Sequence, residues 1–124
     1  MIDITEVLRL HEILIKNFGG SYGVRDMPLL ESALKRSFQT FDGLDLYPSA
    51  YEKGAALVES ILINHPFIDG NKRTGYGLLR IYLNLHGIGI VASIDNRYDL
   101  IIDIASGVLK FDGIVTWLQQ HTSR

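Results

Sequence analysis

The recurrence of apolar residues every three or four positions most constrains how this chain folds, because almost no stretch alternates as a strand would. Val7, Leu10 and Leu14, for example, would form one apolar stripe along a helix. The only candidate strand covers residues 88–92. Segments with helical spacing lie at about 5–17, 28–37, 49–64, 72–86, 93–106 and 113–120.

These segments also indicate the fold class. The segments at 49–64 and 72–86 are the most apolar, so we expect them to form the centre of the molecule. The chain has 124 residues, of which 47% are hydrophobic, and this suits one compact domain over residues 1–124. We therefore predict an all-α fold of about six helices around two central helices.

Capping residues predict where several helices begin. Thr5 would cap the first helix, Asp26 the second and Asp112 the last, since short polar side chains accept hydrogen bonds from the first N–H groups of a helix. Ser49 and Glu52 have the spacing of a capping box, in which each side chain binds the backbone N–H of the other residue. The central helix at 49–64 is therefore predicted with a defined start.

Charge and composition exclude several functional classes. The net charge is −2 and the pI about 6.0, which argues against broad electrostatic binding of nucleic acid. The absence of cysteine excludes disulfides and thiolate metal sites. The first residues lack the pattern of a signal peptide, and no apolar run has the length of a membrane span. We expect a cytoplasmic protein with no direct nucleic acid or membrane partner.

The segment NHPFIDGNKRTG, residues 64–75, joins the two central helices and carries many groups able to bind anions or protons. The second of these helices starts near Asn71, and its first N–H groups have no partner within the helix, which favours an anion there. Gly70 has no side chain, so an anion could approach closely. Lys72 and Arg73 oppose the helix dipole, and their position suits a multiply charged anion such as a phosphate chain.

Two further side chains suggest a reaction at this anion site. Asp69 would repel phosphates unless Mg²⁺ lies between them, and Mg²⁺ binds through one or two carboxylates plus phosphates. His65 carries an imidazole, which exchanges protons near neutral pH. Together these groups favour phosphoryl or nucleotidyl transfer to a hydroxyl. The residues alone leave a structural alternative open: a hydrogen-bonded loop histidine, an ordinary turn and a solvated Lys-Arg pair.

Residues 65–73, HPFIDGNKR, resemble the signature of the Fic/Doc superfamily, H-x-F-x-[D/E]-G-N-G-R-x-x-R. Lys72 replaces the second glycine and Tyr76 replaces the final arginine. Both departures are those of the Doc, or death-on-curing, toxin branch, with the pattern H-x-F-x-D-x-N-K-R. The resemblance continues through Gly19-Gly20, Arg25-Asp26 and Tyr47-Pro48, and it implies an all-α Fic fold.

By matching position, the resemblance also implies a role for each motif residue. His65 would orient or deprotonate the target hydroxyl and Asp69 would hold Mg²⁺. The phosphates of ATP would be bound by Gly70, Asn71, Lys72 and Arg73. A short flap that aligns the target would fall at Phe41, Asp42 and Gly43, within the stretch 38–48 that the residues alone read as an irregular loop or a small hairpin.

The Doc branch implies a toxin of a toxin–antitoxin pair that moves the γ-phosphate of ATP to a threonine or serine of an elongation factor Tu-like protein and so arrests translation. A Phd-like antitoxin is the expected partner, with Val7 and Tyr47 as candidate contacts. Lys72 would displace the nucleotide towards γ-phosphate transfer. Two alternatives stay open: a Fic-type AMP transferase, in which Arg80 compensates for the arginine lost at Tyr76, and a catalytically silent binding module.

Overall fold

The computed structural model describes residues 2–124, and six α-helices account for most of them. The helices are α1 (Ile4–Phe18), α2 (Met27–Arg36), α3 (Ala50–Asn64), α4 (Asn71–Leu85), α5 (Ile94–Ala105) and α6 (Phe111–Gln120). Two antiparallel pairs of two-residue strands accompany them: β1 (Thr40–Phe41) with β2 (Leu44–Asp45), and β3 (Gly89–Ile90) with β4 (Thr122–Ser123). The predicted all-α fold of six helices is confirmed.

Several predicted caps are present. The Asp26 carboxylate accepts from the N–H of Leu29 at 3.1 Å, at the start of α2. Ser49 and Glu52 form the full capping box at the start of α3, because the side chain of each binds the backbone N–H of the other. The start of the central helix is therefore encoded locally, by residues next to one another in the sequence.

Two predicted caps are wrong. Asp3, and not Thr5, precedes α1, and its carboxylate accepts from the Thr5 N–H at 2.9 Å. The last helix begins at Phe111 after Lys110, with no side-chain cap, so Asp112 lies inside the first turn. A carboxylate there still favours the helix, because it faces the positive end of the dipole.

The core confirms the central position of α3 and α4, which share the most extensive contact of all the elements. One face of α3, with Leu57 and Ile61, is buried in a cluster that includes residues of α1 and α2. An adjacent face, with Val58 and Leu62, is buried in a cluster that includes residues of α5 and α6. Helix α3 is therefore covered on more than one face, which explains its nearly uniform apolar character.

Gly75 allows α3 and α4 to approach closely. A Cβ atom added at Gly75 would lie 3.1 Å from Leu62 Cδ2 and 3.2 Å from Ile61 Cγ2, tighter than ordinary van der Waals contact. This close approach fixes the relative position of α3 and α4, the two helices that the motif connects. None of the helices within residues 2–124 combines the length and apolar character needed to span a membrane.

Candidate active site

The motif forms the turn between α3 and α4. His65 ends α3 in the left-handed conformation (φ 47°, ψ 58°), and Gly70 precedes α4 with φ 76°. A cleft of about 540 Å³ opens beside this turn. It is lined by Phe18, Gly19, Gly20, His65, Ile68, Asp69, Gly70, Asn71, Lys72 and Arg73. The structure therefore brings together every residue predicted for catalysis, metal binding or phosphate binding.

A second loop, residues 19–26, lies against the motif. Arg25 donates its backbone N–H to the Pro66 carbonyl at 2.8 Å, and Ile68 donates to the Gly23 carbonyl at 3.1 Å. These bonds flank an antiparallel bridge between Val24 and Phe67. This pairing was not predicted from the sequence, because isolated bridges carry no periodic signal.

The backbone of His65 is held by the side chain of Arg25. The guanidinium donates from Nε to the His65 carbonyl at 2.7 Å and from Nη2 to the Asn64 carbonyl at 2.6 Å. Carbonyls at the end of a helix lack partners, and a cation there also suits the dipole. The His65 imidazole is exposed at the cleft and makes no hydrogen bond within residues 2–124. The ring is therefore available to a bound hydroxyl.

Asp69 presents an ionised carboxylate at the same cleft. Its Oδ2 accepts from the Ser21 N–H at 3.1 Å and its Oδ1 from the Gly70 N–H at 2.8 Å. These two bonds, first that from Ser21, lower the pKa of Asp69 below its usual value, and the charge of Arg73 lowers it further. Gly20 leaves room for the carboxylate, since an added Cβ would lie 2.7 Å from Oδ2.

This carboxylate suits Mg²⁺ better than a metal held by protein alone. Residues 2–124 contain no group of three or more His, Cys, Asp or Glu side chains placed to hold a metal. Mg²⁺ commonly binds through one or two carboxylates together with substrate phosphates. One exposed, ionised Asp69 beside an anion-binding helix start fits that pattern.

The start of α4 is open to the cleft, but Gly70 serves a different purpose from the one expected. Helix α4 has no side-chain cap, so its first N–H groups remain available to an anion. The position of the missing Cβ faces α1, where it would lie 3.0 Å from Ile15 Cδ1 and 3.6 Å from His11 Nε2. Glycine is therefore required here by packing and by its positive φ.

The Asn71 side chain closes the motif turn. Its Oδ1 accepts from the Phe67 N–H at 2.9 Å, and its Nδ2 donates to the Phe67 carbonyl at 3.0 Å. Both polar ends of the amide are thus engaged by one backbone residue. The group that Asn71 presents to the cleft is its own backbone N–H in the first turn of α4.

The two cations on the first turn of α4 differ in their surroundings. Arg73 donates from Nη1 to the Gly19 carbonyl at 3.2 Å, and its Cζ lies 5.0 Å from the centroid of the Phe18 ring. Because Gly19 follows the end of α1, the charge of Arg73 is favoured by that helix terminus. Lys72 is exposed and has no hydrogen bond or ion pair among the described residues.

His11 also supports this site, although it lies outside the motif and was not among the predicted site residues. The imidazole is 2% exposed, its Nε2 lies 2.7 Å from the Asp69 carbonyl oxygen, and its ring stacks on Phe67 with centroids 4.0 Å apart. One signal was available. His11 lies four residues from both Val7 and Ile15, on the buried face of α1, where a polar residue requires a partner.

The cleft is not lined by Tyr76, by Arg80 or by the predicted flap residues. Tyr76 is half-buried and packs against the core, and Arg80 Cζ lies 5.9 Å from the centroid of its ring. The flap residues form the tip of the β1–β2 hairpin, where Asp42 and Gly43 both have positive φ, at 51° and 75°. Phe41 is 70% exposed on this hairpin. The short hairpin was one of the alternatives for this stretch.

The helical fold and the motif between α3 and α4 define a protein of the Fic/Doc class. A model of the Fic/DOC family matches residues 1–83, and the chain belongs to this family. The curated protein "Toxin Doc" of Mycolicibacterium smegmatis is 35% identical over 120 residues, which cover 93% of this chain and 92% of that protein. The likeness therefore extends well beyond the motif.

Proposed function

We propose that the protein is the cytoplasmic toxin of a toxin–antitoxin pair and acts as a magnesium-dependent protein kinase. Its target is a threonine or serine hydroxyl of an elongation factor Tu-like protein, and the modification arrests translation. Similarity to a protein named Toxin Doc supports the toxin assignment. The observation that carries the chemistry is one cleft in which Lys72, the open start of α4, Asp69 and His65 meet.

Each of these groups has a part in the proposed transfer. The first N–H groups of α4, with Lys72 and Arg73, bind the phosphates of ATP. Asp69 holds Mg²⁺, which neutralises charge on the phosphates when bound. His65 takes the proton of the target hydroxyl as its oxygen bonds to the γ-phosphorus. The bond between that phosphorus and the β–γ bridging oxygen breaks, and ADP leaves.

The surroundings of Arg80 favour γ-phosphate transfer over transfer of AMP. In the AMP-transfer pattern an arginine at position 76 binds the distant phosphate, and here that position is Tyr76. Arg80 was the candidate to compensate, but its guanidinium lies over the Tyr76 ring and does not line the cleft. Lys72 adds a charge where the AMP transferases have glycine, which supports a shifted nucleotide.

The β1–β2 hairpin supplies a place for the target segment. Its strands are exposed, including Phe41 and Leu44, and an extended peptide pairs readily with an open strand edge. The base of the hairpin is anchored, because Lys53 binds the Asp45 carboxylate at 3.1 Å and also donates to the Tyr47 carbonyl. A rigid base with an exposed tip suits alignment of a target hydroxyl with His65.

An apolar groove of about 330 Å³ between α1 and α4 is the proposed site of a Phd-like antitoxin. Val7 lines this groove, as do Leu10, Ile81 and Leu85. Tyr47 lies elsewhere, packed against the Phe111 ring at 5.1 Å, so the two candidate contacts do not share one surface. An amphipathic segment with an apolar stripe suits a groove of this kind.

Labelled nucleotides test the proposed reaction. The protein, Mg²⁺ and a bacterial lysate should transfer label from γ-labelled ATP to one protein of elongation-factor size. Label from α-labelled ATP would instead indicate AMP transfer. The His65→Ala variant should lose the transfer by at least about 100-fold and remain folded, because the ring is exposed. A binding module without activity would transfer nothing and would stay toxic without His65.

Lys72→Gly tests the account of specificity. Removing this side chain should abolish γ-phosphate transfer and give some transfer from α-labelled ATP. Normal kinase activity in Lys72→Gly would contradict the role given to Lys72.

A further inference from the structure

His11 contacts two motif residues, Phe67 and Asp69, and lies beside a third, Gly70. Its ring stacks on Phe67 with an interplanar angle of 8°, its Nε2 lies 2.7 Å from the Asp69 carbonyl oxygen, and it would be 3.6 Å from a Cβ at Gly70. No other side chain of α1 has a hydrogen bond to residues 65–73 in the described part of the chain. The conformation of this part of the motif is therefore linked to one buried residue of α1.

The direction of this hydrogen bond is determined by its partner. A carbonyl oxygen only accepts, so the Nε2 atom of His11 carries the hydrogen and donates it. At 2% exposure, water does not readily replace this bond. A substitution without a donor would leave the Asp69 carbonyl, which is partly buried in this bond, without its partner.

The bond fixes more than one carbonyl, because the carbonyl of Asp69 and the N–H of Gly70 belong to one planar peptide unit. The carbonyl end accepts from His11, and the N–H end donates to the Asp69 carboxylate at 2.8 Å. With His11 holding one end, the N–H is directed towards the carboxylate. A rotated peptide plane would withdraw this donor from Oδ1.

We propose that His11 is a positioning residue: by holding the Asp69–Gly70 peptide plane, it orients the Asp69 carboxylate for Mg²⁺ bound with the nucleotide. This inference rests on the proposed function for its consequence in binding. It does not require His11 to touch substrate or metal.

Three variants separate the hydrogen bond from packing. His11→Phe keeps a ring for stacking on Phe67 but removes the donor. His11→Gln provides an amide N–H near the position of Nε2. Ile104→Val is the control, since Ile104 is as fully buried as His11 but lies in the other core cluster, with residues of α3, α5 and α6 and none of the motif. His11→Leu serves as a second variant without a donor if the phenyl ring prevents folding.

The readout is the dissociation constant of Mn²⁺ in the presence of a non-hydrolysable ATP analogue, measured by electron paramagnetic resonance of free Mn²⁺. We expect His11→Phe to bind about 10-fold more weakly, the scale on which supports of metal ligands act. His11→Gln should recover most of this loss and Ile104→Val should match the wild type. Wild-type affinity in a folded His11→Phe, or equal losses in Phe and Gln variants, would overturn the assignment.

A second readout needs no nucleotide. The amide protons of Ser21 and Gly70 donate to the Asp69 carboxylate, so their chemical shifts report its position. His11→Phe should move both resonances and Ile104→Val neither. If the wild type binds no Mn²⁺ with the analogue, the proposed function fails, and these shifts alone decide the role of His11. Unchanged shifts would refute it.

Discussion

Replacing Asn71 with alanine removes both hydrogen bonds that close the motif turn. The N–H and carbonyl of Phe67, at 2.9 and 3.0 Å from the Asn71 side chain, then lose their partners. An unpaired buried group costs roughly 1–3 kcal/mol, and both groups are only partly buried, so a cost near the low end, about 1–1.5 kcal/mol, applies to each. Asn71→Ala should therefore destabilise the fold by about 2–3 kcal/mol.

Urea unfolding followed by circular dichroism measures this loss directly. For a chain of 124 residues the same loss lowers the melting temperature by about 8–12 °C. Asn84→Ala is the control, since Asn84 is exposed on the same helix and its side chain makes no hydrogen bond in the described structure. That variant should stay within about 0.5 kcal/mol of the wild type. If the stability of Asn71→Ala also stays within about 0.5 kcal/mol of the wild type, Asn71 does not stabilise the motif turn.

Three further changes probe the surroundings of the cleft. Gly20→Ala should weaken Mn²⁺–nucleotide binding about 10-fold by displacing the Asp69 carboxylate, whereas Gly19→Ala, where nothing lies within 4 Å of the added Cβ, should add strain only. Since the pKa of Asp69 is lowered on folding, the difference in urea stability between wild type and Asp69→Asn should persist above about pH 4. This stability difference should shrink as the pH falls through the folded-state pKa of Asp69. A difference that does not change with pH would mean that folding does not lower the pKa of Asp69. Gly43 has φ 75°, and an added Cβ would meet no atom within 4 Å, so Gly43→Ala strains the backbone at the tip of the hairpin without a clash. This variant should raise KM for the protein target and leave the affinity for ATP unchanged. Equal effects on both quantities would mean that the hairpin does not align the target.

Local patterns in the sequence predicted much of this structure. Helix boundaries followed from apolar periodicity and caps, and the Ser49–Glu52 capping box was read from spacing alone. The motif residues of the cleft were predicted because they lie in one segment, from His65 to Arg73, so that one turn between two helices brings them together. Chemistry concentrated in one short segment is accessible to sequence reasoning.

The supports of that segment were not predicted, because they come from distant parts of the chain. His11 lies 58 positions from Asp69, and Ser21 lies 48 positions from it. Neither residue type has a spacing that identifies its partner. The two bonds from the Asn71 side chain to Phe67 were not predicted either, because they depend on the geometry of the turn. The family pattern assigned Asn71 to phosphate binding, and that role stays a prediction.

Of the two cations at the start of α4, only one still suggests that an anion binds there. Two cations on that turn oppose the dipole, but Arg73 is compensated by the Gly19 carbonyl and the Phe18 ring. Lys72 has no such partner among residues 2–124, so its charge costs stability in the free protein. Lys72 is therefore the main evidence that a phosphate binds at the start of α4.

Removing the Lys72 side chain should therefore have opposite effects on stability and on nucleotide binding. Lys72→Ala should raise the free energy of unfolding by about 0.3–1 kcal/mol in low salt, because it removes a cation from a helix start. The same variant should bind the ATP analogue more weakly. Lys16→Ala is the matched control: Lys16 lies in the last turn of α1, where a cation is favourable, so its loss should destabilise the protein. A Lys72→Ala protein less stable than the wild type would mean that Lys72 has a structural partner, and the argument for a bound anion would lose its main support.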